Sequence, residues 1–286
     1  MKKRLFEKRT KTDRIIFAVV FCFFLLYSFT LLYSFVWGFL SSLKTSLEFY
    51  EGGFWPSQWL FSNYALAFDR LQVGRTTLAA MIWNSVWFSV GSMVISLFFT
   101  TLTAYILSKY QFRGRKVLEI VLMLVIFLPV YGSFASTYKF YHEAKMVNSY
   151  LILLSATGGF SFNTMLLMSY FSNISSAYAE AAQIDGAGHF QVFYKIMLPQ
   201  AMPLVSTLFL IGFIGKWNDY MTPILYLDKM PTLATGLFRF QETAELMGLM
   251  PVLFAGLFIA LIPIIILFIF LAKPMMNSVN VGGIKG

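Results

Sequence analysis

Few residues in this chain of 286 can do chemistry, and their spacing narrows what that chemistry is. Lys216 and Asp219 stand three apart within a mostly apolar stretch, so on a helix they share a face and can pair. Trp217, Asn218 and Tyr220 surround them. An ionisable group in such a stretch marks a functional position by default. Aromatic rings beside an amide and a carboxylate also suit sugar recognition, by stacking on the apolar sugar face and hydrogen bonding to hydroxyls. The same five residues would serve as well as a structural ion pair at a helix-packing contact with interfacial aromatics. His142 and His189 are far apart, no H-E-x-x-H occurs, and Cys22 is the single cysteine. No metal site, histidine triad or internal disulfide is expected. The phosphate-cradling pattern G-x-x-x-x-G-K-S/T is missing too. Its nearest match, Gly215-Lys216-Trp217, lacks both the spacing and the hydroxyl. The chain is not expected to be an enzyme or to carry a cofactor of its own.

The composition says what must position these residues. The chain is 58% hydrophobic and 12% charged, with 32 Phe, 15 Tyr and 6 Trp. Soluble domains carry about 25% charged residues, so this chain cannot cover a soluble surface. Its uncharged runs are Ile15–Leu40, Thr76–Ser108, Ile120–Tyr138, Met146–Ala179, Ile196–Gly215 and Leu246–Ala272. A helix needs about 20 apolar residues to cross a bilayer. Six spans follow, at about 15–40, 81–107, 117–138, 149–171, 203–226 and 249–272. The runs are too long and continuous for barrel strands. The first exceeds the 7–15 residues or so of a leader's apolar core, and no small-residue cleavage site follows it. The pattern predicts an all-α membrane protein of the cell membrane, with residues 1–14 as a basic cytoplasmic N-terminus and 273–286 as a cytoplasmic tail. Gly158-Gly159 either breaks span four or ends it near the membrane surface. Pro129 and Pro263 are expected to kink spans three and six.

The net charge of +9 could point to nucleic acid, and its distribution decides otherwise. With both ends cytoplasmic, the inner segments hold fourteen basic and five acidic residues. The outer segments hold seven of each, and Lys216 and Asp219 lie in span five. The whole excess is on the inner side, as the positive-inside rule requires, so the bilayer rather than nucleic acid is its expected partner.

One inner connection, residues 173–203, is long and polar. It reads as two short helices. The first covers about 176–184, with Ser175 or Ser176 as N-cap. Asp185-Gly186 makes the turn, and the second helix covers about 189–197 with Phe190, Phe193 and Met197 along one stripe. Leu198-Pro199 is expected to end it. Such a helix can lie on the bilayer surface or fit a groove on a partner protein.

Glu180-Ala181-Ala182, Asp185-Gly186-Ala187, Phe190, Phe193, Ile196, Leu198-Pro199 and Pro203 resemble the EAA loop of ABC importer permeases, in the form of the carbohydrate, maltose-permease branch. Asn63-Tyr64, Asn84-Ser85, Ala104-Tyr105, Phe112-Arg113-Gly114-Arg115, Trp217-Asn218-Asp219-Tyr220 and the terminal Gly282-Gly283-Ile284-Lys285-Gly286 are similar to recurring positions of that family. One departure is Tyr178, where the family often has a Pro-Glu pair earlier. The resemblance implies a type I ABC importer permease fold and a role as transmembrane subunit of a binding-protein-dependent carbohydrate importer. Its implied partners are a second homologous permease subunit, two ATPase subunits that bind ATP and Mg, and an extracytoplasmic sugar-binding protein. The loop would sit in a cleft of the ATPase, with Glu180 as polar anchor, Gly186 as the bend, and Phe190 and Phe193 filling the cleft. Gly282, Gly283 and Lys285 would reach the ATPase interface. In the outer segment 228–246, Pro231, Arg239, Glu242 and Glu245 would face the binding protein, where composition alone gives only a solvated loop. Import of another polar solute, or ion-coupled transport, is the alternative function.

Overall fold

The computed structural model describes residues 11–128 and 132–276. The basic cluster Lys2, Lys3, Arg4, Lys8 and Arg9, the expected kink at Pro129, and the tail residues Gly282, Gly283 and Lys285 lie outside the described residues.

The described chain is helical, apart from one antiparallel ribbon that pairs Gln72 with Thr77 and Val73 with Thr76. The helices are α1 (Lys11–Ser42), α2 (Ser46–Glu51), α3 (Ser62–Arg70), α4 (Leu78–Lys109), α5 (Arg115–Phe127), α6 (Phe134–Glu143), α7 (Phe162–Asn173), α8 (Ala177–Ile184), α9 (His189–Val192), α10 (Leu198–Trp217), α11 (Met221–Tyr226), α12 (Leu233–Leu246) and α13 (Met250–Met276). A 3₁₀ turn covers Tyr150–Ala156, and a π turn covers Phe193–Met197 between α9 and α10.

Two compact units divide the chain, one of Met1–Ala67 with Gln241–Ile259 and one of Phe68–Phe240 with Ala260–Gly286. In the first, the end of α1 packs by aromatic edges. Trp37 meets Phe254 at 5.5 Å, and Phe35 meets Phe258 at 5.2 Å. Asn63 fixes the turn that follows by donating to the carbonyls of Ser42 and Lys44, each at 2.9 Å. None of the apolar window of α1 is buried, so its apolar side chains face lipid or another protein.

In the second unit α4 is the central post, packed by α7 and α10. Its buried face carries Ser85, Ser89, Ser92, Thr100, Thr101 and Ala104. Small residues let helix backbones approach closely where the surrounding lipid gives apolar contact no advantage.

Four helices are long and apolar enough to cross a membrane: residues 12–42, 78–109, 189–217 and 250–276. They contain the expected spans one and two and all but the first residue of span six, but only 203–217 of span five, whose remainder includes the separate helix α11. Spans three and four are not single helices. The third divides into α5, of 13 residues, and α6, after Leu128 turns to extended backbone. At ~1.5 Å per residue α5 is roughly 20 Å long, short of a ~30 Å hydrocarbon core. The fourth divides at Gly158-Gly159 into the 3₁₀ turn and α7, so the glycines break the run. The freed carbonyls are answered by side chains. Thr100 Oγ1 donates to Gly158 O at 2.9 Å, and Thr164 Oγ1 to Gly159 O at 2.8 Å. Irregular backbone persists at membrane depth only under such protein cover.

Candidate functional site

The polar inner loop is built much as its residues dictate. Helix α8 ends at Asp185, and Gly186 follows at φ +85, a left-handed position that glycine takes without a Cβ clash. The amides of Gly186 and Ala187 donate back to Gln183 O and Ala182 O and seal the end of α8. At the start of α8, Ser175 Oγ accepts from the Ala177 amide, whereas Ser176 makes no capping bond. No residue of α8 is buried. Glu180, Ala181, Asp185 and Gly186 are exposed, and Ala182 and Ala187 are half-buried.

Beyond the bend two expectations fail. Leu198-Pro199 does not end the second helix. The helical run continues from His189 to Trp217 through the π turn. The Leu198 amide donates to Phe193 O, five residues back, so the register has already slipped when Pro199 arrives with no N–H to give. Gln200 Nε2 donates to Ile196 O, which gives that carbonyl a partner beside the proline. Nor are Phe190 and Phe193 equally available, although their rings lie 6.4 Å apart. Phe193 is 3% exposed and Phe190 is 65% exposed. Met197 is buried and Ile196 half-buried with Phe193, while Leu198 is half-buried and Pro199 exposed.

The reason is the inner end of α4. The Tyr105 ring, buried there, meets Phe193 at 5.1 Å, Phe171 of α7 at 5.7 Å and Tyr110 at 5.6 Å. The Tyr110 hydroxyl is hydrogen-bonded to His189 Nδ1 at 3.0 Å. Lys109 Nζ donates to Ile174 O, the residue that ends α7 just ahead of α8. An apolar groove of about 510 Å³ opens between α4 and α9, lined among others by Ile106, Tyr110, Phe112, His189 and Phe190. The resemblance included Ala104-Tyr105 but gave Tyr105 no role, and sequence reasoning missed Lys109 and Tyr110 as partners of the loop. Their signal was a Tyr-x-x-x-Lys-Tyr pattern where span two meets polar sequence, a place where interfacial aromatics are ordinary.

The second candidate cluster forms in part. Lys216 Nζ and Asp219 Oδ2 are 3.5 Å apart, and Lys216 Nζ also lies 5.5 Å from the centre of the Phe88 ring. Asp219 Oδ1 accepts from the Thr222 amide at 2.9 Å and starts α11. Trp217 is turned inward. It is 2% exposed, stacks on Phe213, and its indole N–H donates to Ala260 O at 3.0 Å. That ring has no open face for a sugar. Asn218 is exposed and bonded to Ile214 O, and Tyr220 lies parallel to Phe238 at 4.4 Å.

Of the expected outer segment 228–246, residues 233–246 form a helix, α12, rather than a loop. Asn84 Nδ2 donates to Pro231 O, and Ser85 Oγ accepts from the Leu233 amide. Arg239 bridges to Asp228 at 2.9 Å. Glu242 and Glu245 are exposed, and Glu245 O accepts from the Tyr50 hydroxyl. Among the described residues no cluster of His, Cys, Asp and Glu could hold a metal ion.

This loop on an aromatic base is found within a known sequence family. Residues 65–277 match the family described as binding-protein-dependent transport system inner membrane component. The chain is 30% identical to the "Probable ABC transporter permease protein YurM" of Bacillus subtilis over 93% of its length and 88% of that protein's. It is 25% identical to the diacetylchitobiose uptake system permease protein NgcG of Streptomyces coelicolor, covering 98% of this chain and 92% of that one. The fold matches a chain from the crystal structure of a bacterial ABC transporter involved in the import of the acidic polysaccharide alginate. The TM-score is 0.79 at 24% identity, over 94% of this chain and 99% of that one. With about three quarters of its length inside the matched region, and with the loop and its base both there, the chain belongs to the family of inner-membrane components of binding-protein-dependent transport systems.

Proposed function

We propose that this chain is one transmembrane subunit of an ATP-driven importer for an oligosaccharide. It would form half of the pathway beside a second, homologous permease subunit. Two ATPase subunits, which bind ATP and Mg, would dock on its inner face, and an extracytoplasmic sugar-binding protein would deliver solute to the outer face. All six apolar runs would cross the membrane, with spans three and four as broken helices, and both termini would be cytoplasmic. The observation that carries the reading is the exposed pair α8–α9, bent at Gly186 and seated on buried rings. Its outward residues, Tyr178, Ile184, Phe190 and Tyr194, are each more than half exposed although apolar or aromatic. A helix face of this kind fits a groove on a partner protein. The carbohydrate assignment draws on the relatives, several of which are named as oligosaccharide permeases. The single Lys216–Asp219 pair is a poor basis for ion coupling, which uses chains of ionisable groups.

The test is uptake in cells lacking and then regaining this chain, using labelled malto-, galacto- and arabino-oligosaccharides and diacetylchitobiose. At least one should enter only when the chain is present, and an uncoupler that leaves ATP high should not stop it. Uptake that an uncoupler abolishes at constant ATP would sink the ATP-driven reading.

A further inference from the structure

We infer that the inner end of α4 is a clamp holding both ends of the α8–α9 loop, with Tyr105, Lys109 and Tyr110 as positioning residues for coupling. The inference rests on the importer reading above and goes beyond it, because the resemblance gives the coupling role to the loop's own residues and none to the helix end beneath it. The clamp has two attachments. Where the chain leaves α7, Lys109 Nζ donates to Ile174 O, three residues ahead of α8. Where the chain leaves the bend, the Tyr110 hydroxyl is bonded to His189, the first residue of α9, and Tyr105 packs on Phe193 at the start of the π turn. Between these points α8 buries no residue and touches the rest of the unit lightly. A partner that moves the exposed face must therefore move it against α4.

The arrangement makes mechanical sense. A loop held at one end swings about the other, and Gly186 supplies a ready pivot. Holding both ends on one helix turns that swing into a displacement of the helix itself. Helix α4 runs as one piece from Leu78 to Lys109, packs against α7 and α10, and at its outer end carries the Asn84 and Ser85 contacts to the segment leading into α12. A packed helix transmits such a shift because close-packed interiors do not deform continuously. Phe193, which the resemblance sends into the ATPase cleft, becomes the inner anchor of the clamp, and Phe190 is left as the outward contact.

The experiment uses the whole complex in lipid nanodiscs, with Cys22→Ser as background and Asn218→Cys as reporter. The rate of maleimide reaction at the reporter is measured with and without ATP plus vanadate. Steady ATP hydrolysis and co-purification of the ATPase are followed in parallel. Tyr110→Phe keeps the ring and loses the hydrogen bond. It should reduce the nucleotide-driven change in labelling about fivefold, roughly the factor one ordinary hydrogen bond represents, while hydrolysis and co-purification persist. Lys109→Met should act in the same direction. His189→Asn, whose Oδ1 stands near the lost Nδ1, should keep most of the change, whereas His189→Ala should not. A merely structural role would lower thermal stability and leave the ratio of labelling change to hydrolysis alone. A wild-type ratio in both Tyr110→Phe and Lys109→Met overturns the clamp. A wild-type complex in which nucleotide changes nothing at the reporter overturns the importer reading and the clamp with it.

Discussion

Two phenylalanines three residues apart have opposite surroundings, and this separates stability from coupling. Phe193 is buried against Tyr105, whose ring also meets Phe171 and Tyr110, and truncating a buried aromatic costs about 3 kcal/mol. Phe193→Ala should therefore lower the melting temperature of the purified subunit. Phe190→Ala should leave that temperature unchanged and weaken ATPase co-purification, since truncating an interface aromatic costs about 2–4 kcal/mol of binding. If Phe190→Ala melts lower and still co-purifies, the two roles are reversed. Gly186→Pro should also uncouple, because proline holds φ near −65° and the bend is at +85. The sequence showed the motif and its bend but not which ring faces in. A stripe at i, i+3 and i+7 presumes an uninterrupted α-helix, and the π turn from Phe193 breaks that register.

Glu48 belongs to the same scale, with a different readout. The Ser57 hydroxyl donates to its carboxylate, the Thr45 and Ser57 amides add to this, and its pKa falls to about 2 from an ordinary 4.5. With the folded value the lower one, the bonds help order the loop at neutral pH. That help fades as the pH falls through 4.5 toward 2. Proteolysis between α2 and α3 should speed up on acidification across that window in the wild type. Glu48→Gln should flatten the pH dependence, and an equally steep acid response in Glu48→Gln would rule the carboxylate out as its source.

At the scale of elements, two of the glycines that face α4 sort by what they meet. A Cβ at Gly159 would stand 2.5 Å from Thr103 Oγ1, a short β-branched side chain with nowhere to go. A Cβ at Gly212 would meet the far end of Met93, 2.6 Å from Sδ, and a methionine can re-route. Gly159→Ala should cost about 1–3 kcal/mol by overpacking, and Gly212→Ala less than about 1 kcal/mol. Thermal unfolding in one detergent compares them, and equal losses would contradict the sorting. This packing was not legible in advance. Hydropathy located the runs that hold the four long apolar helices, because bilayer thickness sets the length such a helix needs. It could not show that run three is broken, nor choose whether Gly158-Gly159 breaks run four or ends it, where Thr100, 58 residues away in sequence, satisfies the Gly158 carbonyl. It also misjudged Leu198-Pro199, because the rule that a helix stops before proline presumes an intact i→i−4 ladder.

For the whole molecule the question is orientation, and the charge distribution predicts it. Fourteen basic residues against five acids face inward in the proposed topology, and seven against seven face outward. The N-terminal cluster supplies half of the inner cations, and the first span often dominates orientation. The excess nonetheless survives without it. Lys109, Arg113, Arg115, Lys116, Lys195, Lys273 and Lys285 still oppose only Glu119, Glu180 and Asp185. Arg115 is held to Glu119 at 2.7 Å, which leaves Arg113 and Lys116 beside it as the retaining charges of that connection. Replacing the seven basic residues of positions 2–14 with Gln should therefore keep the subunit in its wild-type orientation. In a Cys22→Ser background, a membrane-impermeant maleimide added to intact cells should label Lys139→Cys and Lys229→Cys, both before and after that replacement. It should reach Arg113→Cys and Lys195→Cys only once the cells are opened. External labelling at Arg113 in the otherwise wild-type chain would invert the proposed topology. External labelling there only after the N-terminal charges are removed would show that the first segment alone sets the orientation. That would leave the inner loops, including the one proposed for coupling, to follow wherever α1 is placed.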